Sequence, residues 1–203
     1  MKLYHFPSPN PQKVTFALLE LGLDCEKIPV DLSKQEQRQP EFLAINPTGR
    51  VPVLVDGDVT LRESHAILAY LGETTGRLWP ASAAGRAEAL QSLFFLSQHI
   101  VPHAAEVALR IRAKVLGIPV DEATVARGEK AMPTPIRVVE GELAKNQWML
   151  GADFSLADCA YCPILNVIEK AGFSFAEFPR VSAYLDALRA RPAWKDTPKL
   201  PGL

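Results

Sequence analysis

Residues 51–61 read VPVLVDGDVTL, and this stretch constrains the fold more than any other. Two runs rich in Val and Leu flank Asp56-Gly57, a pair whose tolerance of positive φ suits a tight hairpin turn. What precedes the hairpin supplies further strands. Lys2 to His5 reads as a strand. Val14, Ala17, Leu18 and Leu21 then fall at i, i+3, i+4 and i+7 of a helix closed by Gly22, and residues 26–31, EKIPVD, read as a second strand. Ser33 to Gln39, SKQEQRQ, is wholly polar and reads as loop. After the hairpin, Ala66, Ile67, Tyr70 and Leu71 restore helical spacing from Glu63 to Leu71, with Glu63 where an acidic residue favours a helix start. The order β-α-β-loop-β-β-α is that of a thioredoxin-like fold.

The pattern changes near residue 75. TTGRLWPASAAG, from Thr74 to Gly85, carries two Gly, one Pro and no periodic apolar face, and reads as a linker. Beyond it Leu90, Leu93, Phe94, Ser97, Val101, Ala104, Ala108, Ile111 and Val115 recur every three or four residues, predicting one long helix kinked at Pro102. A second helical stretch is expected over Glu122 to Leu143 and a last one over Arg180 to Ala190. Between them GADFSLAD places Ser155 and Asp158 as a capping box opening another helix. The division expected is an α/β domain over 1–75, a linker over 76–85 and an all-helical domain over 86–203.

Composition narrows the function classes. With 203 residues, 48% apolar and 22% charged, the chain is in the globular range. Its 22 basic and 23 acidic residues form no long block of one sign, which argues against nucleic acid as a partner. No apolar run approaches the roughly 20 residues of a membrane span, and no export signal is expected. Three cysteines, Cys25, Cys159 and Cys162, are too few for a disulfide framework and fit the cytoplasm.

In a thioredoxin-like fold the turn from first strand to first helix carries the reactive group, because the helix start stabilises negative charge. Here that turn is Ser8-Pro9-Asn10-Pro11, without the Cys-x-x-Cys that dithiol exchange requires. A hydroxyl and an amide remain. Both can donate to an anion, and the thiolate of a bound cofactor is the natural candidate. Tyr4 lies inside the strand and reads as support, while Cys159-Ala-Tyr-Cys162 follows the capping box in an apolar helix and reads as buried.

Ser8-Pro-Asn followed by Lys13-Val14, then NPTGRVPVL from Asn46, LRESHAIL from Leu61 and GADFSLAD from Gly151, stand in an order that resembles the glutathione transferase family. The likeness is to Ser-type classes similar to theta and delta and to bacterial nu-like relatives. It implies a glutathione co-substrate, no metal, a homodimer and a role in detoxification. Ser8 or Asn10 would face the sulfur, with Ser8 favoured. A cis bond before Pro52 costs only ~0.5 to 1 kcal/mol and turns the Val51 backbone outward, so that glutathione can pair with Val51 as an added strand. Glu63 would meet the γ-glutamyl ammonium, and Ser64 with its helix N–H groups the carboxylate. By the resemblance Gln37 falls where several relatives have a His at the glycyl end, with Lys34 and Arg38 nearby, and Arg50 can reach the same end. Phe95, His99 and His103, with Glu106 and Arg110, form a mixed stripe where the family lines its pocket for a small hydrophobic electrophile. His65 is expected to point off its helix into solvent. The reading is a transferase. Isomerase, dehalogenase, peroxidase or ether-cleaving chemistry on the same scaffold, and a low-turnover glutathione-binding protein, are the alternatives.

Overall fold

The computed structural model describes residues 1–199, so the last four residues of the helical domain expected over 86–203 lie outside the described residues. The first half opens with β1 (Lys2–His5), α1 (Pro9–Leu21), β2 (Glu26–Pro29) and α2 (Pro40–Ile45). It closes with β3 (Val53–Asp56), β4 (Val59–Arg62) and α3 (Ser64–Thr75). The strands form one sheet in the order β2-β1-β3-β4, with β1 parallel to β2 and antiparallel to β3, and β3 antiparallel to β4. This is the expected thioredoxin-like arrangement. Side-chain alternation along the strands sends Leu3 and Leu54 to the face covered by α1 and α3, and Tyr4 and Val53 to the face covered by Phe42 of α2.

Two local departures from the sequence reading lie here. The polar stretch expected as loop holds a 3-10 turn at Glu36–Arg38 and leads straight into α2, which periodicity did not reveal because it is six residues long and buries only Phe42. Glu63 is not the first residue of α3 but its cap, at φ 67, and the helix continues four residues past Leu71 to Thr75.

The second half is helical. It comprises α4 (Ala83–Phe95), a π-helical turn at Leu96–Ile100, α5 (Val101–Val107), α6 (Leu109–Leu116), α7 (Glu122–Ala131) and α8 (Pro133–Leu143). After these come α9 (Leu156–Lys170), α10 (Pro179–Ala190) and a short α11 (Pro192–Asp196) absent from the sequence reading. The expected long helix is therefore three segments. Pro102 has no N–H for the carbonyl four residues back, and the chain meets this with a wider turn just before α5 instead of a simple kink. The stretch over 122–143 is likewise divided, at Met132, and α4 starts at Ala83 because the Ser82 hydroxyl accepts from the Gly85 N–H.

The two halves share one continuous apolar core. Its axis is α9, buried from Leu156 to Ile168 and packed along α1. At its start Asp158 accepts from the N–H groups of Met149 and Ser155 and from the hydroxyls of Ser155 and Tyr184, at 2.7 to 2.9 Å. Burial raises the Asp158 pKa against the pull of those bonds. Cys159 and Cys162 are fully buried and their thiols pushed up by burial, in keeping with a packing role. The linker seals the joint. Leu78 accepts from the Leu156 N–H at 2.9 Å, and Trp79 lies so close to Gly72 that a Cβ there would sit 2.5 Å from the indole. At the far end of α1, Glu20 takes a bidentate bond from Arg191 at 2.6 and 2.7 Å, and that guanidinium lies 3.6 Å over the Phe154 ring. Thus α1 is held along its length by the helical half.

Candidate functional site

Ser8 sits at the N-cap of α1 in extended conformation, and its hydroxyl makes no capping bond. Prolines decide what else this turn offers. Pro9 and Pro11 have no N–H, and the Gln12 N–H is bonded to the Ser8 carbonyl at 3.1 Å, so the Asn10 N–H is the free backbone donor of the first turn. The Asn10 side chain is exposed and without a hydrogen bond among the described residues. Gln12, nearly buried, donates to the Pro198 carbonyl at 3.0 Å and ties this turn to the chain after α11.

Next to it lies a cleft lined by Asn10, Asn46, Thr48, Arg50, Val51, Pro52, Arg62, Glu63 and Ser64. The Asn46 side chain builds its floor. Its Nδ2 donates to the Arg50 carbonyl at 2.6 Å, and its Oδ1 accepts from the N–H and hydroxyl of Thr48. The turn so stapled presents Val51, whose peptide to Pro52 is cis and whose backbone bonds to nothing else among the described residues. Across the cleft Glu63 holds φ 67, a conformation L-residues seldom adopt, directly before Ser64, which is 7% exposed on the first turn of α3. The turn over residues 36–38 packs on the Asn46 staple through Gly49, at φ 60. A Cβ there would meet Arg38 Nη1 at 2.8 Å and the Gln37 carbonyl at 2.9 Å. The Gln37 Oε1 is buried with no hydrogen-bond partner among the described residues.

The family model described as Glutathione S-transferase, N-terminal domain, matches residues 1–73, and the corresponding C-terminal domain model matches residues 92–192. The chain belongs to the glutathione S-transferase family. Glutathione S-transferase F9 of Arabidopsis thaliana is 36% identical, covering 97% of this chain and 95% of its own. The disulfide-bond oxidoreductase YfcG of Escherichia coli is 33% identical, covering 94% of this chain and 91% of its own. A glutathione transferase of Burkholderia graminis, solved with two glutathione molecules bound per subunit, superimposes with a TM-score of 0.86 at 32% identity, covering 96% of this chain and 85% of that one.

In this glutathione S-transferase fold the cleft gathers Asn10, Arg50, Val51, Pro52, Glu63 and Ser64 from the sequence-derived site residues. Ser8 and Gln37 are not among its lining residues: Ser8 caps the adjoining helix, and Gln37 lies under the neighbouring turn. Phe95, His99 and His103 do not line it either. Phe95 stacks on His99 with centroids 5.0 Å apart and faces a groove between α4 and α8. His103 contacts Glu106 at 3.5 Å, Glu106 in turn pairs with Arg127 of α7, and Arg110 pairs with Glu122 and Glu129. Asn46, Thr48 and Arg62 join the lining beyond the residues the sequence points to, although Asn-Pro-x-Gly is itself a turn signature with a side chain able to bond its own backbone. His65 corrects the sequence reading. Instead of pointing to solvent it is half-buried, with Nε2 3.0 Å from the Nζ of buried Lys13.

Proposed function

We propose that the chain binds glutathione in this cleft, ionises its thiol at the start of α1 and directs the thiolate at a small electrophile. The observation that carries this reading is the charge pattern around the cleft. Glutathione has two carboxylates and one ammonium, and the lining residues offer two guanidiniums, Arg50 and Arg62, with one carboxylate, Glu63. Ser64 and the N–H groups of α3 suit the γ-glutamyl carboxylate, and the unpaired Val51 backbone suits the cysteinyl peptide. The orphan amide of Gln37, whose oxygen and nitrogen are interchangeable by a flip, suits the glycyl end.

A free thiol of pKa ~8.5 is about 3% ionised at pH 7, and bringing it to ~6.5 takes ~2.7 kcal/mol of preferential thiolate stabilisation. One hydrogen bond to a charged group supplies ~1.5 to 3 kcal/mol and the helix start ~0.3 to 1. The Ser8 hydroxyl and the free Asn10 N–H are thus sufficient in kind and number, with no metal in the scheme. Calorimetric titration with glutathione beside a turnover screen tests this. Glu63→Ala or Ser64→Ala should weaken binding tenfold or more, and unchanged affinity in both removes the site. Binding without any conjugate formed marks a glutathione-binding protein instead.

Glutathione-dependent disulfide reduction is a second reading, favoured by the likeness to YfcG and by the two glutathione molecules in the Burkholderia relative. Two glutathiones would supply the electron pair, leaving glutathione disulfide and two product thiols. Accumulation of glutathione disulfide in place of a conjugate would select it. A homodimer working in the cytoplasm on toxic electrophiles completes the proposal, supported by three unpaired cysteines and by the exposed apolar face of α4.

A further inference from the structure

Lys13 is an amine buried near the start of α1. It lies on α1 one turn beyond Asn10, its side chain is 1% exposed, and its only hydrogen-bond partner among the described residues is His65 Nε2 at 3.0 Å. His65 follows Ser64 on the first turn of α3. The two helix starts that frame the cleft are therefore joined by an amine and an imidazole. Burial and the Lys13 charge push the His65 pKa down to about 3, so the ring is neutral and its Nε2 accepts. Burial also brings Lys13 down to about 7, and Glu63 opposes that fall.

We propose that Lys13 is a ligand-linked proton site: it takes up a proton when an anionic ligand occupies the cleft and then serves as the buried counter-charge to that ligand. The inference rests on the cleft being the glutathione site. Its physical basis is that an ammonium out of water with one neutral partner is uncompensated, which a nearby anion offsets. The link to the cleft is geometric: Asn10 and Ser64 line it, one turn before Lys13 and one residue before His65, and Glu63, also in the lining, opposes the fall in the Lys13 pKa. A ligand carboxylate or thiolate in the same cleft acts with the same sign.

Arg50 and Arg62 also line the cleft, but among the described residues Glu63 is the charge that acts on Lys13 itself. From α3 and its approach, His65 and Glu63 face Lys13. Of the groups on elements packed against α1, Asp158 and Cys159 of α9 belong with Glu20 and Arg191 at the far end of the helix. Cys162 is acted on by Arg189 and Lys199, and Asp196 of α11 acts on Lys199.

The sign is definite. Above pH 7 the free amine is mostly neutral, and an anion raises its pKa, so binding draws in a proton. At pH 6 the free amine is already charged and binding draws in none.

Calorimetry with S-methylglutathione reads this directly, since that ligand has no thiol proton to release. Titrations at pH 8 in two buffers of different ionisation enthalpy should show uptake of about half a proton or more, falling towards zero at pH 6. Lys13→Arg, which keeps a fixed charge, should bind without uptake. Lys13→Met should also lose the uptake and bind about tenfold more weakly. Binding to the unaltered protein without uptake at pH 8, or uptake persisting in Lys13→Arg, would overturn the inference. Failure of S-methylglutathione to bind the unaltered protein would overturn the cleft assignment itself. Should Lys13→Met not fold, the pH 6 and pH 8 comparison and Lys13→Arg still decide.

Discussion

Pro9 and Pro11 leave the start of α1 with one backbone donor that is free among the described residues, so a thiolate there depends on side chains more than a helix start usually requires. Ser8→Ala should then raise the pKa of the bound glutathione thiol by about one to two units, the equivalent of ~1.5 to 3 kcal/mol, while affinity stays within a few-fold. Ultraviolet titration of the bound thiolate measures it. Asn10→Ala is the rival variant, and a shift of that size there with none in Ser8→Ala would transfer the role to the amide. Lys13 gives a second prediction, in the ligand-free protein. Its folded pKa of about 7 is below the unfolded value near 10.5, so the unfolded chain binds more protons between those limits. Stability from this group is therefore present above the unfolded pKa and lost as pH falls through the folded one, with a slope of at most ~1.4 kcal/mol per pH unit. Denaturant unfolding from pH 7 to 9 should show stability rising, and in Lys13→Met that slope should flatten; an identical slope would mean that Lys13 titrates normally. Local segments made Asn10, Arg50, Glu63 and Ser64 legible in the sequence. The Lys13–His65 contact was not, because it joins residues 52 apart, and a lysine or histidine beside a helix start ordinarily reads as solvated.

Element boundaries follow the same division between local and distant causes. α1 and the hairpin carry their own apolar spacing and their own turns at Gly22 and Gly57, and sequence reading finds the hairpin and the end of α1, whereas α1 starts at Pro9, inside the stretch expected as the preceding turn. By contrast α2 and α11 are six and five residues long and exist because Phe42 and Trp194 each insert into a core built elsewhere. Periodicity cannot register one buried residue. The π-helical turn before α5 has a local cause in Pro102, but its form depends on Leu96 and Ile100 both reaching the core. The start of α9 shows an element whose local signal also serves distant packing. Ser155 and Asp158 form the expected capping box, and Asp158 additionally receives the Tyr184 hydroxyl from α10 and the Met149 N–H from the preceding turn. Ser155→Ala removes one of four donors and should lower stability by ~0.5 to 2 kcal/mol with turnover per folded molecule unchanged. Asp158→Ala strands all four and should destabilise by more, on the order of 3 kcal/mol or above. Thermal unfolding beside activity normalised to folded protein checks both, and activity lost at full stability would assign this motif to the chemistry.

At the scale of the whole molecule, the joint between the halves is closed while the outer face of the helical half is not. The shared core, the Leu78 carbonyl on the start of α9 and the Arg191 clasp on Glu20 leave no independent surface between them. On α4, however, Phe94 is 62% exposed and Leu90 lies one turn before it, while Val138 of α8, 47% exposed, lines the groove between the two helices together with Phe95. Single exposed apolar residues are ordinary, but a large aromatic beside two aliphatics and a groove is the anchor pattern of a protein interface. A second copy of this chain is the occupant the family membership favours, since the same face on each protomer can then cover the other about a two-fold axis. Sedimentation should therefore give about twice the 22.3 kDa of the chain. Phe94→Glu places a charge at the centre of that contact and should shift the species to a monomer, with the sheet and α9 intact by circular dichroism because Phe94 contributes nothing to the core. Were the unaltered protein monomeric at high micromolar concentration, the face would need another partner. Were Phe94→Glu still fully dimeric, the dimer would form through another face, and the exposed end of β4 at Val59 would be the next to vary.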